Sequence, residues 1–228
     1  SVSIVSSPQL GVIAGKLGVR YEEVLTGFKW IANRALELAP DGANFVFGYE
    51  EALGYTVGTV VRDKDGISAS MVLCELAASL HAKGETLLDE LERIARDYGL
   101  YVSGQRSTRY PGSQGPHVMA AIMERLRGNP PSVVGDLDVL AVRDYITSIR
   151  TAKGGETSDI TLPKSNVLTF ELAGGNRIIA RPSGTEPKIK FYFDIREDVA
   201  DGEDYAVAKA RAHEKMNALA DAFCEITA

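Results

Sequence analysis

Cysteine is scarce in this 228-residue chain, which has only Cys74 and Cys224. Both fall among apolar residues in predicted helices, where a free thiol acts as a small hydrophobe, so no disulfide framework is expected. The three histidines, His81, His117 and His213, are scattered, and none lies at zinc-ligand spacing from another histidine or a cysteine. That spacing offers no structural zinc site. A basic surplus is missing too: Lys+Arg 25 against Asp+Glu 31 leaves a formal charge of −6, most of it within residues 1–100. Nucleic acid is therefore not an expected partner. No apolar run approaches the roughly 18 residues of a membrane span, and the start shows no basic region followed by an apolar stretch and a cleavage site. These features predict a cytoplasmic protein with no membrane partner.

What is present is 45% hydrophobic and 25% charged, the composition of a globular chain with room for one large or two modest domains. Val2, Ile4 and Val5 predict a short strand, after which Ser7 and Pro8 suit the start of a helix. Phe28, Ile31, Ala35 and Leu38 recur at helical spacing over about 26–39, and Pro40 stops that helix. Residues 44–47 read as an apolar strand ending at Gly48, followed by a loop with paired acids and a helix over about 67–82. Thr86 and Asp89 approximate a capping box, Leu87, Leu91, Ile94 and Tyr98 form a stripe, and Gly99 follows as a terminator. Beyond it the pattern turns β-rich, which places a domain boundary near residue 100: an α/β domain over 1–100, then an α+β domain over 101–228. The second domain is expected to hold a hairpin, 167–172 and 177–180, and a strand over 188–195. In that strand Ile189, Phe191, Phe193 and Ile195 face a core, while Lys190, Tyr192 and Asp194 face water. A helix over about 202–226 would cover the sheet.

Four segments carry functional chemistry. Arg181-Pro-Ser-Gly-Thr-Glu-Pro-Lys188 gathers a guanidinium, two hydroxyls and a relaxed backbone in one turn. Arg181 could grip two phosphate oxygens, Ser183 and Thr185 could donate protons, and amides around Gly184 could form an anion nest. The same composition also describes an ordinary Pro/Gly turn with a solvated arginine. Gly48-Tyr-Glu-Glu-Ala-Leu-Gly54 sets adjacent carboxylates after a strand, where they could accept from vicinal sugar hydroxyls or form a solvated acidic loop. Arg62-Asp-Lys-Asp-Gly66 holds Lys64 between two acids, or is a charge run before a helix cap, and its spacing does not fit an EF-hand. Thr26-Gly-Phe-Lys-Trp30 begins a helix, with Trp30 reading as a core aromatic.

In this order the four segments resemble the C-terminal half of the α-D-phosphohexomutase family, which includes phosphoglucomutases, phosphomannomutases and phosphopentomutases. The resemblance implies the family's third domain, with a mixed-sheet α/β fold, followed by its fourth, an antiparallel sheet backed by helices. It implies phosphate contacts at Arg181, Ser183, Gly184 and Thr185, with Lys188 or Lys190 helping. Sugar contacts would come from Thr26, Gly27, Lys29, Glu50 and Glu51, and Lys64 would be the catalytic acid/base candidate. Ala52 stands where many members have serine, which is closer to the branch that also acts on pentose phosphates.

The family's phosphoserine would pass its phosphoryl group to a hexose or pentose phosphate, and the bisphosphate would then return the other phosphoryl group to serine. Its nucleophile loop and Asp-rich magnesium loop have no counterpart in these residues: Ser68-Ala-Ser70 lacks the histidine, and Asp136-Leu-Asp138 has only two carboxylates. The expectation is therefore a substrate- and phosphate-binding half that is inactive alone. Mg2+ would be bound outside this chain, with the missing N-terminal domains of the same polypeptide as partners. A stand-alone, non-catalytic phosphosugar-binding module is the other reading. A nucleotide-binding fold fits worse, because Gly11 and Gly15 lie inside a predicted helix rather than in a strand-to-helix turn.

Overall fold

The computed structural model describes residues 1–227. Its contacts divide the chain into two compact units, Ser1–Gly99 and a second from Leu100 onward.

In the first unit β1 (Val2–Ser3) leads to α1 (Gln9–Leu17), β2 (Glu23–Val24) and α2 (Phe28–Leu38). A 3-10 turn with Pro40 ends α2, and β3 (Phe47–Glu50) and β4 (Gly54–Val57) follow. The sheet order is β2-β1-β3-β4. β1 runs parallel to β2 and β3, as helical crossovers require, while β3 and β4 form an antiparallel hairpin. The strand expected over 44–47 thus lies further on, and the acidic segment is a strand end plus a tight turn rather than a loop. Ladder pairing decides this: β1 offers its backbone to Phe47–Tyr49, not to the more apolar Phe45-Val46.

The unit closes with α3 (Gly66–His81) and α4 (Leu87–Tyr98). Asp65 caps α3 by accepting from the Ile67 and Ser68 amides at 3.2 and 3.1 Å. Thr86 and Asp89 form a complete capping box on α4. Yet α3 buries only Leu80 and α4 only Ala95. Ile67, Met71, Leu73, Leu76 and Leu91 stay exposed, and so does Cys74, contrary to its reading as a packed hydrophobe.

The second unit runs β5 (Leu100–Arg109), α5 (Gly115–Gly128), β6 (Val133–Val134), β7 (Leu137–Asp144), β8 (Ile149–Ala152) and β9 (Thr157–Asp159). It continues through β10 (Leu168–Leu172), β11 (Arg177–Pro182) and β12 (Lys188–Glu197) to α6 (Tyr205–Thr227). The antiparallel sheet has the order β5-β12-β11-β10-β7-β8-β9, with β6 beside β7. Ile189, Phe191, Phe193 and Ile195 are fully buried, as their alternation predicts. Phe223 of α6 plugs that face, its ring 5.4 Å from those of Phe170 and Phe191 and 6.2 Å from Phe193. Asp194 departs from its expected wet position: it is 2% exposed, bound by Arg177 and by the Ser103 hydroxyl. Among the described residues no helix is long and apolar enough to cross a membrane.

Candidate functional site

The first unit assembles its candidate residues around the start of α2. Gly27 takes φ +119°, a conformation that side chains disfavour, and so turns its amide out of the helix axis. Gly48 lets α2 press onto β3, since a Cβ there would lie 2.6 Å from Ile31 Cγ2. The two glycines bring the Gly27 amide within 2.7 Å of Glu50 Oε1. That carboxylate, 6% exposed at the end of β3, is thereby fixed by a charge-assisted bond.

Next to it, Thr26 Oγ1 is buried with no hydrogen-bond partner. A buried hydroxyl without a partner is costly and marks a place for an added donor or acceptor. Lys64 approaches from the other side, its Nζ 5.1 Å from the centroid of the Phe28 ring and 3.3 Å from Asp63 Oδ1. The Lys64 amide and ammonium together hold the Asp63 carboxyl below the usual range. Of the two acids flanking Lys64, only Asp63 holds it, because Asp65 is committed to the helix cap.

Two candidates lie apart from this group. Glu51 turns to the beginning of α1, accepting from the Ser7 amide at 2.7 Å. Lys29 is exposed with its ammonium over the Trp30 ring, and Trp30 is half-buried against Val24, Phe28 and Ile31. Between Glu51 and β4, Leu53 adopts φ +60° while 83% exposed. A left-handed leucine costs about 1–2 kcal/mol, so the turn is held by its flanking strands against local preference.

In the second unit the segment 181–188 joins β11 to β12. The Ser183 amide donates to the Lys188 carbonyl at 2.8 Å and closes the loop. The Ser183 hydroxyl accepts from the Thr185 and Glu186 amides at 3.4 and 3.3 Å, so these amides point at a side chain rather than forming the nest expected around Gly184. Gly184 itself has open space where a Cβ would stand and no left-handed φ, so neither packing nor backbone geometry demands glycine there. Lys188 forms an ion pair with Glu186, and that bond is the chief cause of the Glu186 carboxyl lying below its ordinary range. The half-buried Arg181 guanidinium has no hydrogen bond or ion pair among the described residues. Ladder pairing adds two cations: Lys190 opposite Arg181, and Arg109 opposite Lys188. Arg109 was not legible from sequence, since it lies on a distant strand in a stretch without apolar alternation.

Comparison with known proteins decides the family. The description "Phosphoglucomutase/phosphomannomutase, alpha/beta/alpha domain III" matches residues 2–98, and "Phosphoglucomutase/phosphomannomutase, C-terminal domain" matches residues 138–223. The chain belongs to the α-D-phosphohexomutase family. It is similar to the probable phosphomannomutase of Haemophilus influenzae, with 42% identity over 195 residues, covering 85% of this chain and 35% of that protein. It is also 35% identical over 227 residues to the glucose 1,6-bisphosphate synthase of Homo sapiens, covering 97% of this chain and 36% of that protein. The phosphohexomutase chain described here thus spans about a third of the length of these relatives. Among solved structures, the open form of the phosphoglucomutase parafusin from Paramecium shares the fold. Its TM-score is 0.62 at 22% identity, over 96% of this chain and 37% of that one.

Among the described residues no group of three or more His, Cys, Asp or Glu side chains is placed to hold a metal, and Asp138 is already paired with Lys153 at 3.1 Å.

Proposed function

We propose that the chain is the substrate-holding C-terminal half of a cytoplasmic mutase that moves a phosphoryl group between two positions of a hexose or pentose phosphate. The observation that carries this reading is the Arg181 guanidinium, without a partner among the described residues, beside a loop of hydroxyls, in a sheet where Arg143, Arg150 and Arg177 of the same face are neutralised by Glu171 and Asp194. In this reading Arg181, Ser183, Gly184, Thr185 and Lys188 hold the phosphate that is not reacting. The fixed Glu50 carboxylate accepts from sugar hydroxyls, with Thr26 and Gly27 shaping the same region and Lys29 and Glu51 as outlying sugar contacts. Lys64, steadied by Asp63, hands a proton to or from the reacting hydroxyl. The phosphoserine donor, the bisphosphate intermediate and Mg2+ are supplied from outside these residues. Holding a phosphorylated sugar in place is a large part of accelerating such a transfer, because the barrier is lowered chiefly by positioning and charge stabilisation.

The test is a titration of the 228-residue chain and its Arg181→Ala variant with inorganic phosphate, glucose 1-phosphate and ribose 1-phosphate, followed by amide NMR. Phosphate should shift amides in 181–188, the sugars should add shifts in 48–54, and the first set should vanish in the variant. The chain alone should show no mutase turnover with Mg2+ present. Turnover by the pure chain would refute the division of labour, and absent shifts at millimolar ligand would refute the site.

A further inference from the structure

The face of the large sheet turned away from α6 is charged across much of its width, and most of that charge is neutralised in place. Arg177 of β11 stands opposite Asp194 of β12, whose carboxylate accepts from Arg177 Nε at 2.8 Å and from Ser103 Oγ at 2.7 Å. Arg143 of β7 stands directly opposite Arg150 of β8, a like-charge pairing that costs stability unless something lies between. There Glu171 of β10 bonds both guanidiniums, taking Arg150 Nη2 at 2.6 Å. In both places the chain supplies its own counter-ion.

The end of the sheet next to the 181–188 loop is built differently. Arg181 is directly opposite Lys190, and Lys188 directly opposite Arg109. Lys188 and Lys190 are two apart on β12, so all four side chains share one face. The other face carries the fully buried Ile189 and Phe191, and Arg106 there donates to Asn217 of α6 at 2.8 Å. Two like-charge pairs therefore lie side by side with Glu186 as the one carboxylate bonded to them among the described residues, engaged by Lys188 and also acted on by Arg109 and Lys190. Arg109, Arg181 and Lys190 have no ion pair among the described residues.

Building on the phosphate-site reading of the 181–188 loop, we propose that Arg109 is a further phosphate-binding residue, completing a four-cation cradle with Arg181, Lys188 and Lys190. In the same step Glu186 is the internal carboxylate that an incoming phosphate monoester dianion displaces from Lys188. Four cations against one carboxylate suit a doubly charged ligand and leave an uncharged sugar without a grip. Arg109 brings a planar fork that can take two phosphate oxygens, which a third lysine could not. The ten-residue pairing of β5 with β12 holds that fork in register with the loop.

The experiment titrates inorganic phosphate, glucose 1-phosphate and, as uncharged control, glucose into the 228-residue chain and into Arg109→Gln, Arg109→Lys, Arg181→Ala and Glu186→Gln. Circular dichroism and melting confirm that each variant folds. Arg109→Gln should weaken both phosphates about tenfold or more and flatten the salt dependence of binding, since a charge-assisted contact is lost. Arg109→Lys should recover part of the loss, and Glu186→Gln should tighten binding. If Arg109→Gln binds like the parent while Arg181→Ala does not bind, the cradle is overturned and the loop reading stands. A parent chain that discriminates no phosphate from glucose overturns the loop reading and the cradle with it. Weaker binding by Glu186→Gln overturns the displacement.

Discussion

The two units place their apolar and charged groups in opposite ways. The first leaves much of α3 and Leu88 and Leu91 of α4 in solvent, and ties its best-placed carboxylates to backbone amides, Glu50 to Gly27 and Glu51 to Ser7. The second buries a continuous core under α6 and leaves three cations without an ion pair among the described residues on the opposite face. The difference teaches where rigidity resides. In the second unit a well-packed sheet can carry uncompensated charge for a ligand to meet, because packing elsewhere offsets its cost. In the first, Glu50 is itself part of what keeps the α2–β3 corner together, and Glu51 ties the end of β3 to the start of α1.

The sharpest break in this comparison is Phe223→Ala. It removes the ring shared by Phe170, Phe191 and Phe193, and should destabilise the second unit by about 3–5 kcal/mol. Denaturation followed on amides of each unit should show the first unit's transition unmoved, and coincident loss of both would refute independent cores. Next in size is Glu50→Ala, which leaves the half-buried Gly27 amide without its carboxylate partner and should cost the first unit about 1–3 kcal/mol. An unchanged midpoint would show that the carboxylate is held for a ligand and not for the fold.

Acid should act more gently, and on the second unit. Burial pushes the Glu171 carboxyl up, but hydrogen bonds and charge from Arg150 and Arg143 outweigh it and hold the group below its ordinary value. A depressed folded pKa means stability that is fully present above the unfolded carboxylate value of about 4.3 and lost as pH falls through the folded one. Glu171→Gln should flatten that acid limb in a pH series of melting temperatures, and an identical limb would deny the pair a role. Smallest of all, Arg181→Ala should change stability by no more than about 0.5 kcal/mol, since that guanidinium has no hydrogen bond or ion pair among the described residues. A larger loss would make Arg181 structural.

Sequence patterning reached the elements in which one residue type recurs at one period. The alternation over 188–195, the Thr86–Asp89 box and the 167–180 hairpin all stand in the structure because local chemistry and tertiary packing agree there. It failed where partners decide. Ser103 to Arg109 has no apolar alternation, yet forms the longer part of β5 because β12 supplies its ladder. β4, with Gly54 at its start, exists only as the return strand of β3. The acidic and basic loops were legible as residue types, but not which of their charges are already engaged. Asp65 and Asp194 needed geometry to be recognised as structural, and Arg109 needed the register of two distant strands.

That register also sets a clock. Leu100 pairs with Glu197 and Arg109 with Lys188, so the β5–β12 ladder of the second sheet closes only once the chain from 100 to 197 is available. Contacts between strands so far apart in sequence must bear the loop-closure entropy before any hydrogen bond rewards it, which makes their formation slow relative to the local hairpin of β10 and β11. The four cations therefore come together late in folding, and in the proposed reading a phosphate binds the finished sheet and not its precursors. By mass action such an anion acts as a latch on the last strand to arrive, raising the free energy of opening by about 2.7 kcal/mol at a hundred times its dissociation constant.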